Sequence, residues 1–181
     1  MKIVIDGNIA SGKSTQLAIL EKNGFSVQYE PIEKWPLDLY YSDPVRWGFL
    51  FQIMILQTLE AKPGFVIYER SPISSRDVFW KAMEKTDIED QVYREEFRRH
   101  AWLPDVYIYI QKEPELCYEH LNTRNGQSGD SGVTLEYLKT LDANYRTMYE
   151  STITCDKYTV DGNMSVSEIY AEIFRIVKLY V

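Results

Sequence analysis

A chain of 181 residues with 45% hydrophobic content is long enough for one α/β domain with a full core. Its net charge of −7 argues against a nucleic-acid partner, because phosphate backbones are held by basic surfaces, whereas a small anionic nucleotide needs only a local basic cleft. No leader segment is visible, no apolar run approaches the roughly 18 residues of a membrane-spanning helix, and Cys117 and Cys155 lack metal-ligand spacing, so the expectation is a cytoplasmic protein with reduced cysteines and no membrane partner.

The first element is the most informative. Ile3-Val4-Ile5 is an apolar strand that runs into Gly7-Asn8-Ile9-Ala10-Ser11-Gly12-Lys13-Ser14-Thr15. The spacing Gly7-x-x-x-x-Gly12-Lys13-Ser14 is that of a Walker A loop, flanked as it should be by a strand and a helix. Glycines let backbone N–H groups close on an anion, and the positive end of the following helix adds to their pull. Lys13 is placed to reach terminal phosphates and Ser14 to offer its hydroxyl to Mg²⁺. This stretch predicts binding of a nucleoside triphosphate at residues 7 to 15.

Asn23-Gly24 ends the first helix, and Phe25 to Tyr29 alternates as a second strand. Pro31 stops that strand and leaves Glu30 at its carboxyl end, where open α/β sheets bind ligands; a solvated loop carboxylate is the plainer reading. Residues 36 to 46 read as loop. Residues 47 to 62 form a helix that is apolar almost all round, buried on several sides or shared with a partner chain. Its Gln52 needs a hydrogen-bonding partner, either a neighbouring loop or a flat polar ligand such as a base. Phe65 to Tyr68 is a buried parallel strand that delivers Glu69-Arg70-Ser71 to the sheet's carboxyl edge. There Glu69 is suited to Mg²⁺ and Arg70 to phosphate charge. Two helices are expected between residues 73 and 102 with a break near Thr86-Asp87, the second carrying a solvated face of Glu95, Glu96, Arg98 and Arg99. Val106 to Ile110 is a fourth strand, Glu115 to Leu121 resumes helix, and the polar stretch from about 122 to 132 is a connector or a lid with Arg124 as its cation. A helix from 134 to 149, a strand over Tyr158 to Val160 and a final helix from about 165 to 180 complete a single domain spanning 1–181.

Taken together these residues resemble the deoxynucleoside kinase family over nearly the whole chain. The matching pieces are the loop from Gly7 to Thr15, Glu30-Pro31-Ile32-Glu33-Lys34-Trp35, Tyr41-Ser42-Asp43-Pro44, Trp47 through Phe51-Gln52, and Glu69-Arg70-Ser71. The resemblance implies a P-loop NTPase-type α/β fold, a three-layer sandwich whose five-stranded parallel sheet is flanked by helices. It implies ATP-dependent, Mg²⁺-assisted transfer to the 5′-hydroxyl of a deoxynucleoside in nucleotide salvage, and a homodimer. Carried over residue by residue, Glu30 is the general base, Arg70 the arginine beside the 5′-oxygen and phosphate, and Lys13 the phosphate-binding lysine. Gln52 reads the base edge, Phe79 stacks on the base, Trp35 and Phe51 form further walls, and Tyr41 contacts the sugar 3′-hydroxyl. Ser14 and Glu69 make the Mg²⁺ site, and Asp161 lies beside the ATP adenine.

The chain departs from the family pattern in two places. The family's lid carries several arginines and a pair of glutamates; here Arg124 is kept, Gly126 falls near another arginine position, and Asp130 stands in for the sugar contact. Ser75 occupies the position of an aspartate found in deoxycytidine-kinase-like members, and residues 47 to 61 contain no arginine to pair with one. That leaves room at the base's 5-position and favours thymidine or a broad pyrimidine range. The rival readings are a nucleoside monophosphate kinase of the thymidylate kinase type, which needs further cations for a 5′-phosphate, and a nucleotide-binding switch without turnover, for which Glu30, Gln52 and Arg70 would be coincidental.

Overall fold

Strand β1 (Lys2–Gly7) sets the architecture, in a computed structural model that describes residues 1–123 and 132–181. Its side chains alternate between the two faces of the sheet, as a strand's period of two requires. Ile3 and Ile5 pack on one face with α1 (Lys13–Lys22) and α8 (Val166–Val177), through Leu17, Leu20, Ile169 and Ile173. Val4 packs on the other face among Tyr107, Tyr109, Leu141, Tyr145 and Met148. The last three belong to α7 (Leu135–Ser151), so helices cover both faces and make three layers.

The described residues hold a five-stranded sheet in the order β2-β3-β1-β4-β5, with every neighbouring pair parallel. The other strands are β2 (Val27–Gln28), β3 (Val66–Glu69), β4 (Val106–Gln111) and β5 (Asp156–Asp161). After β1 the chain crosses to the β2 edge, and it later returns to build the β4 side. The loop after β1 therefore lies at the point where strand order reverses, the place in such sheets where a crevice opens beyond the carboxyl ends. Glu69 ends β3 in register with Ile5, so Arg70 leaves the sheet beside the glycine loop.

Two expectations are corrected. The second strand covers only Val27–Gln28 rather than Phe25 to Tyr29, because it is an edge strand that pairs with β3 alone. Residues 36 to 46 are largely helical, with α2 (Leu37–Ser42) followed at once by α3 (Pro44–Thr58). The prolines that suggest a loop sit instead at helix starts, where a missing N–H costs nothing: Pro36 is the cap of α2, Pro44 opens α3, and Asp43 caps α3 by accepting from the Arg46 N–H at 3.1 Å. The predicted pair of helices between 73 and 102 is present as α4 (Pro72–Ser74), continued by a π-helical segment (Ser75–Trp80), and α5 (Asp87–His100). Arg98 pairs with Glu95, and Arg99 with Glu96 at 2.7 Å, as the spacing on the exposed face of α5 predicts. α6 (Pro114–Thr123) leads into the expected lid, whose Arg124 and Asp130 lie outside the described residues.

Candidate active site

The glycine loop is built to bring backbone close to a ligand. Gly12 sits at φ 100 and turns the chain into α1. Gly7 sits at φ 152, and a Cβ there would lie 2.5 Å from the Ile110 carbonyl oxygen of β4. Only glycine meets both demands. Lys13 is folded back over this loop, its Nζ donating to the carbonyls of Asn8 at 2.8 Å and Gly7 at 3.2 Å. Burial, and then the charge of Arg70, lower its pKa to about 8. Asn8 fastens the loop to α7 by donating from Nδ2 to the Leu138 carbonyl at 2.9 Å. Of the expected nucleotide-binding residues, Ile9, Ala10, Lys13 and Ser14 line the adjoining cavity. Asn8 and Ser11 are buried, while Thr15 is exposed on α1.

Glu30 and Arg70 meet across the cavity mouth from different strands. The Arg70 Nε lies 2.8 Å from Glu30 Oε1, with the Glu30 side chain only 15% exposed. The solvated-carboxylate reading of Glu30 therefore does not hold. Burial raises the Glu30 pKa to about 7; Arg70 pulls it down, Glu69 pushes it up and Lys13 pulls it down again. A carboxylate that titrates near neutrality can take a proton from a hydroxyl. Arg70 is more than a partner for Glu30. Its backbone is left-handed at φ 65, its Nη1 donates to the Gly7 carbonyl at 3.0 Å and to the Tyr145 hydroxyl, and its guanidinium lies 4.6 Å from the centre of the Phe79 ring. Burial opposes its charge, but Glu30, Tyr145, Asp6 and Glu69 hold it firmly protonated. Beside it Ser14 donates from Oγ to Glu69 Oε1 at 2.7 Å, a hydroxyl and a carboxylate side by side at the start of α1.

Beyond Glu30 lies a cavity of about 400 Å³. Its wall includes Trp35, Tyr41, Phe51, Ser75 and Phe79, all expected from the sequence. Trp35 meets Phe51 edge-on with ring centres 6.0 Å apart, and its indole N–H donates to Thr58 Oγ1 at 2.9 Å. These bonds hold the wall rigid and leave its faces apolar. Gln52 is buried behind the wall rather than part of it. Ser75 Oγ donates to its Oε1 at 3.2 Å and lies 3.0 Å from the Tyr93 hydroxyl. Gln52 thus has the polar partner its burial demands, and its Nε2 makes no hydrogen bond among the described residues. Ser75 and Phe79 both come from the π-helical segment, whose wider turn aims them into the cavity together. Asp161 stands apart: it is exposed at the end of β5, where its Oδ1 accepts from the Asn163 N–H at 2.9 Å.

Sequence reasoning missed several wall and support residues. Tyr40 and Tyr137 line the cavity, with Tyr40 stacked 4.5 Å from Phe51. Asp6 and Tyr145 brace Arg70 from below. The alternation of β1 carries a signal for Asp6, since it puts this carboxylate on the face of Val4, inside the core. Tyr145 has no such signal, because it reads as one more apolar position of α7.

The parallel sheet, the glycine loop after β1 and the acceptor-sized cavity beside it define a P-loop phosphotransferase. A family model for deoxynucleoside kinases matches residues 3–180, and the chain belongs to that family. It is an ATP-using kinase that phosphorylates nucleosides. It is 33% identical over 160 residues to a fowlpox virus (strain NVSL) protein named "Probable deoxycytidine kinase", covering 77% of this chain and 68% of that one. It is 29% identical over 194 residues to the thymidine kinase of Ictalurid herpesvirus 1 (strain Auburn), covering 95% of this chain and 83% of that one. Its fold matches the structure of a deoxyadenosine kinase from M. mycoides with a TM-score of 0.89 at 23% identity, over 100% of both chains.

Proposed function

We propose that the chain transfers the γ-phosphate of ATP to the 5′-hydroxyl of a pyrimidine deoxynucleoside, with thymidine a good substrate. The observation that carries this reading is the 2.8 Å Glu30–Arg70 pair at the junction of the glycine loop and the aromatic cavity. The base stacks on Phe79 with Trp35 and Phe51 as further walls, and Tyr41 meets the sugar. Glu30 accepts the 5′-hydroxyl proton as the oxygen attacks phosphorus. Arg70 and Lys13 offset the negative charge that spreads over the transferring group, which is the main task of such an enzyme. These two are the cations in the cavity wall among the described residues, which suits a neutral nucleoside better than a monophosphate.

Ser14 and Glu69 fit Mg²⁺. They offer one hydroxyl and one carboxylate as hard oxygen donors, and this ion takes few protein ligands and completes its shell with phosphate and water. When bound there it neutralises phosphate charge. Gln52 is held behind the wall by Ser75, and its role at the base edge is reached through that wall position rather than by lining the cavity itself. Ser75 gives the wall a small hydroxyl in place of a carboxylate, while Arg46 is exposed and lies over Trp47 at 5.0 Å, away from the cavity. That combination leaves space for a 5-methyl group. The same reading has Arg124 over the phosphates, Asp130 at the sugar and Asp161 beside the adenine. It includes a cytoplasmic homodimer, supported by Val45 and Leu50 of α3 and Ile88 and Val92 of α5, which are exposed on two helices packed together.

Glu30→Gln tests the reading. It should lower kcat by on the order of a hundredfold or more while thymidine still binds, because the amide keeps the shape and cannot take the proton. Turnover near the wild-type rate would remove Glu30 from this role.

A further inference from the structure

The alternation of β1 sends Asp6 into the same buried face as Tyr107, Tyr109 and Tyr145, an unusual place for a carboxylate. It is fully buried. Its Oδ1 accepts from the Gly7 N–H at 2.8 Å and from the Tyr145 hydroxyl at 2.8 Å, and it lies 3.5 Å from Arg70 Nη1. Its Oδ2 makes no well-formed hydrogen bond among the described residues, although the buried Tyr107 hydroxyl lies close enough that burial first, and then the Asp6 charge, hold that phenol protonated. A buried carboxylate left half satisfied is costly, and packing alone gives no reason to keep one.

The arrangement does have directional content. Tyr145 owns one hydroxyl proton, and that proton goes to Asp6. The phenolic oxygen must then face Arg70 as an acceptor, and Arg70 Nη1 donates to it. Asp6 thereby fixes the polarity of Tyr145, and Tyr145 fixes the rotation of the guanidinium. The same nitrogen also donates to the Gly7 carbonyl while Asp6 accepts from the Gly7 N–H, so the arginine and the carboxylate hold opposite ends of the residue that opens the glycine loop. Arg70 needs this support, because its left-handed backbone is strained for a residue with a side chain and persists only where the surroundings over-determine it.

We infer that Asp6 and Tyr145 are positioning residues for phosphoryl transfer: they form a brace that holds Arg70 Nε on Glu30 and locks it to the phosphate-binding loop. The inference rests on the proposed roles of Glu30 and Arg70. It gives two buried residues that do not line the cavity a part in the rate of the chemical step. The groups facing Glu30 are Arg70, Glu69 and Lys13, and of these the brace controls Arg70.

The test is Tyr145→Phe, which keeps the ring and removes the acceptor, with Asp6→Asn as the milder partner. Tyr145→Phe should lower kcat roughly ten- to hundredfold, the scale of a misplaced catalytic group, with KM for thymidine nearly unchanged. The acid limb of its pH–rate profile should move to higher pH, because a loosened Arg70 no longer favours the ionised Glu30. Asp6→Asn should show a smaller loss in the same direction, and the double variant should lose less than the product of the two, since both act through one brace. A merely structural role predicts a lower melting temperature with kcat and the acid limb unmoved; that result overturns the inference, as does strict additivity. An active wild-type enzyme with an indifferent Tyr145→Phe variant overturns this inference alone, whereas a wild-type enzyme inactive on every nucleoside overturns it together with the proposed function.

Discussion

Two titrating side chains of opposite sign face each other across the site. In the proposed mechanism Glu30 must be ionised to accept a proton, and burial has raised its pKa to about 7. In the same mechanism Lys13 must be protonated to hold phosphate, and burial has lowered its pKa to about 8. In the free enzyme, activity therefore falls below pH about 7 as Glu30 gains a proton and above about 8 as Lys13 loses one. The profile of kcat/KM for ATP should be a narrow bell between these limits. Bound phosphates favour the charged lysine, so the alkaline limb of kcat itself should lie at higher pH. Glu30→Gln should remove the acid limb from whatever activity remains, and a variant that keeps it would assign that limb to another group. The residue types at this site were legible because each has a chemical reason to stand where it does. Gly7 ends β1 and Lys13 opens α1, while Glu30 and Arg70 follow β2 and β3, and a charged residue just beyond a buried strand rarely has a structural excuse. Asp6 and Tyr145 were not legible as a pair, because 139 residues separate them and only the third dimension joins them.

At the scale of elements, caps and periodicity carried most of the information. α5 begins where Thr86 accepts from the Glu89 N–H at 3.3 Å, and the Glu89 carboxylate accepts in return from the Thr86 N–H at 2.7 Å. The sequence showed the break near Thr86-Asp87, and the structure adds the reciprocal pair that makes it a helix start. Thr86→Ala should lower stability by about 1 kcal/mol in urea denaturation, the usual effect of losing an N-cap. An unchanged midpoint would mean that α5 is held by its packed face alone. Prolines misled where they opened helices, as at Pro36 and Pro44, since the same residue ends one element and begins another. The π-helical turn at Ser75–Trp80 left no trace in the sequence, although it is what brings Ser75 and Phe79 to the cavity together. The bond from Ser75 to Gln52 was equally hidden. A glutamine on an apolar helix demands a partner, but the sequence does not say whether that partner is protein or ligand, and the fold supplies a serine 23 residues away.

At the scale of the molecule, strand order does the decisive work. β1 lies between β3 and β4, so the glycine loop, the end of β3 and the end of β2 share one edge of the sheet. On the proposed reading the loop binds phosphate; the end of β3 contributes Glu69 and Arg70, and the end of β2 leads to Glu30. Aromatic residues from α2, α3 and the π-helical segment then wall off a cavity next to that edge. The glycine loop and the aromatic cavity thus meet at one ion pair, which the proposed function places between phosphate donor and acceptor. The central claim is that this acceptor is a nucleoside with a free 5′-hydroxyl. It is tested most directly by a phosphoryl-transfer assay with ATP and Mg²⁺ on thymidine, deoxycytidine, deoxyadenosine, deoxyguanosine and thymidine monophosphate in parallel. Turnover on the nucleosides, with thymidine among the best and the monophosphate left untouched, is the result the site predicts. Turnover on thymidine monophosphate alone would contradict it, because Glu30 would then face no hydroxyl of the kind it is placed to deprotonate.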